Sequence, residues 1–260
     1  MPLIFVGHGN PMNAIEDNRF SRTWTELGRT LPRPTAILAI SAHWLTPGST
    51  QVTAMDVPRT IHDFGGFPRE LFEMQYAAPG TPEYAQQTID LIRKTEVIAD
   101  YRWGLDHGTW SVLAKMYPEA DVPTYQLSID WSKGPEYHYE LAKELKKLRE
   151  RGVMIVGSGN MVHNLQMIKP GDEPFDWAAE FDERITRALD SRDDSQIVDF
   201  QEMGAVSQLA HPTIDHFLPL MYAIGLKGSD EELTYFNDAF DYSSISMRSF
   251  VASPNGISAA

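Results

Sequence analysis

The stretches LIFV (3–6), AILAIS (36–41) and VMIVG (153–157) are apolar almost throughout, the pattern of strands covered on both faces. TYQLSI (124–129) reads as a further strand and SSISMRSFVA (244–253) as a closing one. Helical spacing takes over in between. Phe20, Trp24 and Leu27 fall on one face of a helix predicted from Asp17 to Arg29, with Asn18 or Ser21 as its cap. Helical patterns recur over Pro82–Lys94, Thr109–Tyr117 and Pro135–Arg151, and two acidic amphipathic stretches lie between Phe175 and Glu202. A last helix is predicted to start at Pro212, which suits a first helical turn. Thr46 to Gly80, dense in Pro, Gly and aromatic residues, predicts a long loop. The alternating order predicts an α/β fold: one domain over residues 1–260, with a mostly parallel central sheet flanked by helices on both faces.

Sheets of this kind bind ligands beyond the carboxyl ends of their strands. His8 follows LIFV between Gly7 and Gly9, His43 follows AILAIS, and Gly157 to Asn160 with His163 follows VMIVG. Three histidines therefore point toward one crevice.

Composition narrows the chemistry. Among 260 residues there is no cysteine, which excludes disulfides, thiolate nucleophiles and Cys-ligated metal; any ion is left to His and carboxylate. A formal charge of −14 and no Lys/Arg-rich run argue against a nucleic-acid partner. The one basic cluster, Lys143 to Arg151, alternates with Glu and reads as a solvated helix face. The start lacks a basic stretch ahead of an apolar segment, and no apolar run approaches the roughly 18 residues of a membrane span. The expectation is a soluble cytoplasmic protein that uses no membrane.

Phosphate-binding readings fail on spacing. Gly7 and Gly9 match two positions of the dinucleotide fingerprint, but Met12 stands at the third and Pro11 interrupts. Around Ser158, Val156 and Asn160 stand where a nucleophile elbow needs glycines. Metal binding does better, because neutral imidazole is the commonest ligand of first-row divalent ions. His8, His43, His107 and His163 sit beside small, backbone-permissive residues. His138, in YHYE, reads as a surface residue, and His62, in IHDFGGFP, as a member of a packed lid with a structural or a functional role; Phe64, Phe67 and Trp44 are candidates for that lid's wall or equally for the core. His211 and His216 are five apart, about 140° around a helix, so at most one of them is expected to reach an ion.

FVGHGNPMN, ILAISAHW, TIHDFGGFP, GLDHGTWSVLAKMYP, QLSID, GSGNMVHNL and HPTIDHFLPLMYA occur in that order. Together they resemble the class III extradiol ring-cleavage dioxygenases of the LigB type, and within them the bacterial 4,5-DOPA extradiol branch. The resemblance thins only between about Phe175 and Gln208. It implies that one divalent metal ion is held by His8, His43 and His216, that His163 acts as acid/base, and that His107 contacts substrate or oxygen. It further implies a small aromatic diol (DOPA- or caffeate-like) and O2 as reactants and a muconic semialdehyde as product. The wider family uses two His and one Glu, and His216 departs from that set. Fe(II) is expected for ring cleavage, whereas the affinity order places Zn(II) above it, so zinc is expected in isolated protein. Two rival classes remain: a zinc hydrolase whose ion, held by three histidines, activates a water with Asp215 or Asp106 as its base, and a non-enzymatic metal-binding member.

Overall fold

The computed structural model describes residues 1–254 and 256. Its central sheet contains β1 (Leu3–Gly7), β2 (Ala36–Ser41), β3 (Thr124–Gln126), β4 (Val153–Gly159), β5 (Glu232–Phe236) and β6 (Ser249–Ser253). In space the order is β3-β2-β4-β1-β6-β5. The first four strands run parallel, and β6 joins β1 antiparallel and carries β5 antiparallel on its far side. The expected mostly parallel sheet is the one observed.

Each inner strand is buried at every residue, and its alternate side chains enter two different cores. Leu3, Phe5, Leu38 and Ile155 face α3 (Pro135–Lys143), α4 (Asp176–Asp190) and α5 (Leu218–Leu226). Ile4, Val6, Ile37 and Met154 face α1 (Arg19–Thr30) and α2 (His107–Met116). Continuous apolar runs are the sequence signature of this two-sided burial. In α1, Asn18 Oδ1 accepts from Phe20 N and Ser21 N, while Ser21 Oγ accepts from Asn18 N. Such a reciprocal cap stabilises a helix by about 1 kcal/mol.

Several expectations are corrected. The helix predicted from Pro212 begins instead at Leu218, with Pro219 in its first turn. Residues 211–217 form turns that follow a short helix, Ala205–Ala210. His216 therefore lies before the last helix and not inside it. The predicted Pro135–Arg151 helix breaks into α3 and Lys146–Glu150. Its basic cluster is not wholly solvated, because the half-buried Arg149 pairs with the buried Glu231 and also donates to Leu226 O. The 46–80 loop contains a strand, Thr50–Thr53, parallel to Val97–Asp100, and a short helix, Arg69–Glu73. The closing strand is split into Ile245–Ser246 and β6. Of the two roles open to Trp44, the structure gives it the core one, stacked on Trp103 at 5.7 Å.

His138 is the clearest reversal. It is fully buried, with Nδ1 3.0 Å from Tyr222 Oη on α5, and burial lowers its pKa to about 4. The unfolded chain takes up this proton near pH 6.5, whereas the folded chain resists it until about 4, at a cost of roughly 3 kcal/mol. Stability linked to His138 is therefore full above pH 6.5 and is lost as pH falls toward 4. Urea melts at pH 7 and pH 4.5 should show a smaller loss of stability for His138→Gln than for the wild type. Equal losses in the two proteins would remove His138 as a contributor.

Candidate metal centre

The parallel ladder sets where the histidines emerge. Gly7 pairs with Gly159, and Ser41 pairs with Ser158. The bonding continues past the strand ends: His8 N donates to Gly159 O at 3.1 Å, and Ala42 N donates to Ser158 O at 3.0 Å. β1, β2 and β4 thus finish level with one another, and His8 and His43 rise from that common edge. Next to them, Asn160 N donates to His216 O at 2.8 Å, bringing the 211–217 turns against β4. This contact requires Gly159, since a Cβ there would lie 2.2 Å from His216 O.

The convergence is close. His43 Nε2 lies 3.1 Å from His8 Nε2. His216 has its ring centroid 5.3 Å from that of His8 and 5.0 Å from that of His43. His163 stacks on His216 at 3.5 Å with an interplanar angle of 5°. His107 packs against His43 at 3.9 Å. One nitrogen each from His8, His43 and His107 lies within 4.8 Å of the other two. All five predicted site histidines therefore meet, and His107, expected to contact substrate or oxygen, is the one whose nitrogen groups with those of His8 and His43. His62 and His211 do not join them. His62 Nε2 reaches Met74 O and His211 Nε2 reaches Met161 O, each at 2.9 Å.

Hydrogen-bond partners behind the rings decide which nitrogens face inward. Ser158 Oγ donates its proton to Gly108 O at 2.5 Å, so toward His8 Nδ1, 3.0 Å away, it acts as acceptor. His8 then carries its proton on Nδ1 and presents a bare Nε2. His216 Nδ1 contacts the Asp215 carboxylate, which is acceptor-only and leaves His216 Nε2 bare as well. Asp63 Oδ2 lies 3.2 Å from His43 Nδ1 and 3.0 Å from His107 Nδ1, while Oδ1 accepts from His107 N at 3.0 Å. The ring of His107 meets this oxygen obliquely, without an in-line hydrogen bond.

Burial and the neighbouring rings push the His8 and His216 pKa values well below the ordinary 6.5. Burial, with His107 adding to it, takes His43 to about 3, and burial takes His163 to about 4. Burial alone would raise Asp63, but the contacts and charge of His107, with the charge of His43 adding to them, outweigh it and hold the carboxyl below its usual range. His8, His43, His163 and His216 are thus neutral imidazoles, the form a cation requires.

Above the rings lies a cavity of about 450 Å³, walled by Phe64, Phe67, Leu165, Ile168, Tyr242 and Ile245. No lysine or arginine lines it. Phe64 and Phe67 were anticipated as wall. Asp63, Ser158, Leu165, Ile168 and Tyr242 were not assigned by sequence reasoning. For Asp63 the available signal was an acidic residue inside the aromatic IHDFGGFP segment. Neither rival carboxylate is free to act as a base: Asp215 is engaged by His216, and Asp106 is fully buried, capping α2 and accepting from Gln126 Nε2.

A family model described as the catalytic LigB subunit of aromatic ring-opening dioxygenase matches residues 3–251. A 4,5-DOPA dioxygenase extradiol of Escherichia coli (strain K12) is 46% identical over 96% of this chain and 93% of its own. The protein of the same name from Beta vulgaris is 38% identical over 91% of each chain. A crystal structure of an uncharacterized protein from Escherichia coli K12 superposes with a TM-score of 0.85 at 40% identity, covering 97% of this chain and all of that one.

The contact between β4 and the 211–217 turns is directly testable. Gly159→Ala should destabilise the fold by about 1–3 kcal/mol, as overpacking does. Gly65→Ala, where an added Cβ meets nothing within 4 Å, should change stability far less. Equal melting temperatures for the two variants would show that Gly159 is not needed for close approach.

Proposed function

The chain belongs to the LigB family of aromatic ring-opening dioxygenases, and we propose that it opens the ring of a catechol such as DOPA or caffeate at an extradiol bond, giving a muconic semialdehyde. Both atoms of O2 end in the product, so the reaction needs no external reductant. One divalent ion, held by His8, His43 and His216, serves the reaction.

One observation carries the metal assignment. The bare Nε2 of His8 and the Nε2 of His43 stand 3.1 Å apart at the floor of the cavity. Two nitrogens bound at 2.0–2.1 Å to one tetrahedral ion are about 3.4 Å apart, so the pair needs almost no adjustment. The Asp215 carboxylate at Nδ1 leaves His216 Nε2 bare, and ligand imidazoles typically carry such a carboxylate or hydroxyl partner on the other nitrogen. Three neutral ligands leave the ion's double charge uncompensated. When bound, such an ion lowers the pKa of the catechol hydroxyls and leaves adjacent positions for diol and O2.

The remaining work falls to side chains. His163, neutral and lying over His216, takes a hydroxyl proton from the catechol and later returns it. His107 contacts the diol or O2 from the side of His43. Phe64, Phe67, Leu165 and Ile168 stack against the ring and exclude water. No helix among the described residues is long and apolar enough to cross a membrane, which accords with a cytoplasmic enzyme acting on a small dissolved diol.

Fe(II)-loaded protein should consume O2 with a catechol and form a yellow product, and zinc-loaded protein should not. Replacing His8, His43 or His216 with Ala should empty the site by elemental analysis. His163→Ala should retain the metal and lose about 10²–10⁴-fold in kcat. His107→Ala should also retain it. Metal loss in His163→Ala or His107→Ala would overturn this division of roles, and no O2 uptake across a catechol panel would overturn the activity.

A further inference from the structure

Building on the proposed metal centre, we infer that Asp63 is a positioning residue whose carboxylate, by its charge beside Nδ1 of both His43 and His107, biases their protons to that nitrogen and leaves both Nε2 lone pairs for the cavity. The two rings pack at 3.9 Å and offer their Nδ1 atoms to a single oxygen, Asp63 Oδ2, at 3.2 and 3.0 Å. The other oxygen is taken by His107 N at 3.0 Å, so the carboxylate cannot turn to serve one ring alone. A carboxylate only accepts, and a neutral imidazole has one proton to place. The proton is therefore favoured on Nδ1 of each ring.

The competing tautomer of His43 is a specific one. With its proton on Nε2, His43 would donate to the bare Nε2 of His8, 3.1 Å away, and close the site to an ion. Asp63 biases His43 against that bond. At His107 the same bias leaves Nε2 as an acceptor toward a substrate hydroxyl. The segment that carries Asp63 is held firmly: Ile61 N donates to Leu105 O at 2.8 Å, and Trp110 Nε1 donates to Ile61 O at 2.8 Å. Phe64, the next residue, packs on His107 at 5.4 Å. The cavity wall and the polarity of the two rings are thus set by one short stretch of chain.

Two measurements on the full-length protein test this. In the zinc-loaded wild type, nitrogen-15 NMR of the histidine rings should find Nδ1 protonated in both His43 and His107. A proton on Nε2 of either ring contradicts the inference. Second, Zn(II) and Co(II) affinities are compared in Asp63→Asn and Asp63→Ala. Asn can still accept from His107 N, but it then turns an NH2 group toward both Nδ1 atoms. If Asp63 were only a tie to His107 N, Asn would bind metal better than Ala. The inference requires the reverse order or equality, with Asn weakened about 10–100-fold against wild type and its metal-free melting temperature no lower than that of Ala. Affinity of Asp63→Asn within twofold of wild type overturns the inference while leaving the metal centre standing. A wild-type protein that binds neither ion overturns the metal centre itself, and the inference with it.

Discussion

The backbone register at the carboxyl edge of the sheet governs everything else in this molecule. Three parallel strands end within one residue of each other because Gly7 pairs with Gly159 and Ser41 with Ser158. A slip of one residue would reverse the side chains of a whole strand between the two cores. Each strand is buried on both faces, so such a slip would mismatch two packed interfaces at once. Register is therefore strongly specified, and the positions of His8 and His43 follow from it. His216 depends on the same edge through the hydrogen bond from Asn160 N to its carbonyl.

Electrostatics then decide what the converged rings are. Burial disfavours protons on His8, His43, His163 and His216, and the neighbouring rings act in the same direction. Bringing the His43 pKa from 6.5 to about 3 corresponds to roughly 5 kcal/mol against protonation. The carboxylates that partly offset this, Asp63 and Asp215, contact the rings through Nδ1, and Asp63 also lines the cavity. Their charges favour protonation of His43 and His163, but burial outweighs them and keeps both rings neutral. A divalent ion would thus be the positive charge the site lacks, and an anionic diol its natural counterpart.

Much of this was legible in the sequence wherever a run of residues meets a uniform environment. LIFV, AILAIS and VMIVG are continuous apolar stretches because both faces of those strands are covered. β5, Glu232–Phe236, escaped because it is a half-buried edge strand with no such run. His138 was misread because YHYE is locally polar; the residue that covers it, Tyr222, lies 84 positions away. Pro212 and Pro219 are equally suited to begin a helix, and only the packing of α5 on the sheet selects the second. His8, His43, His107 and His163 were found individually from the small residues and strand ends beside them, whereas His216 was singled out only by the family resemblance. Asp63 was not, since its link to the rings exists only after chain segments 44 residues apart are brought together. Convergence at a strand edge is readable locally, whereas the groups that orient the converged rings belong to the tertiary fold.

The account is tested most directly by anomalous diffraction from crystals of the zinc-loaded protein. A single peak bonded to His8 Nε2 and His43 Nε2 at about 2.0–2.1 Å, with His216 Nε2 as third ligand and a position left open toward Phe64 and Phe67, is the predicted result. A peak away from this cluster, or one reached by only one of His8 and His43, would contradict it.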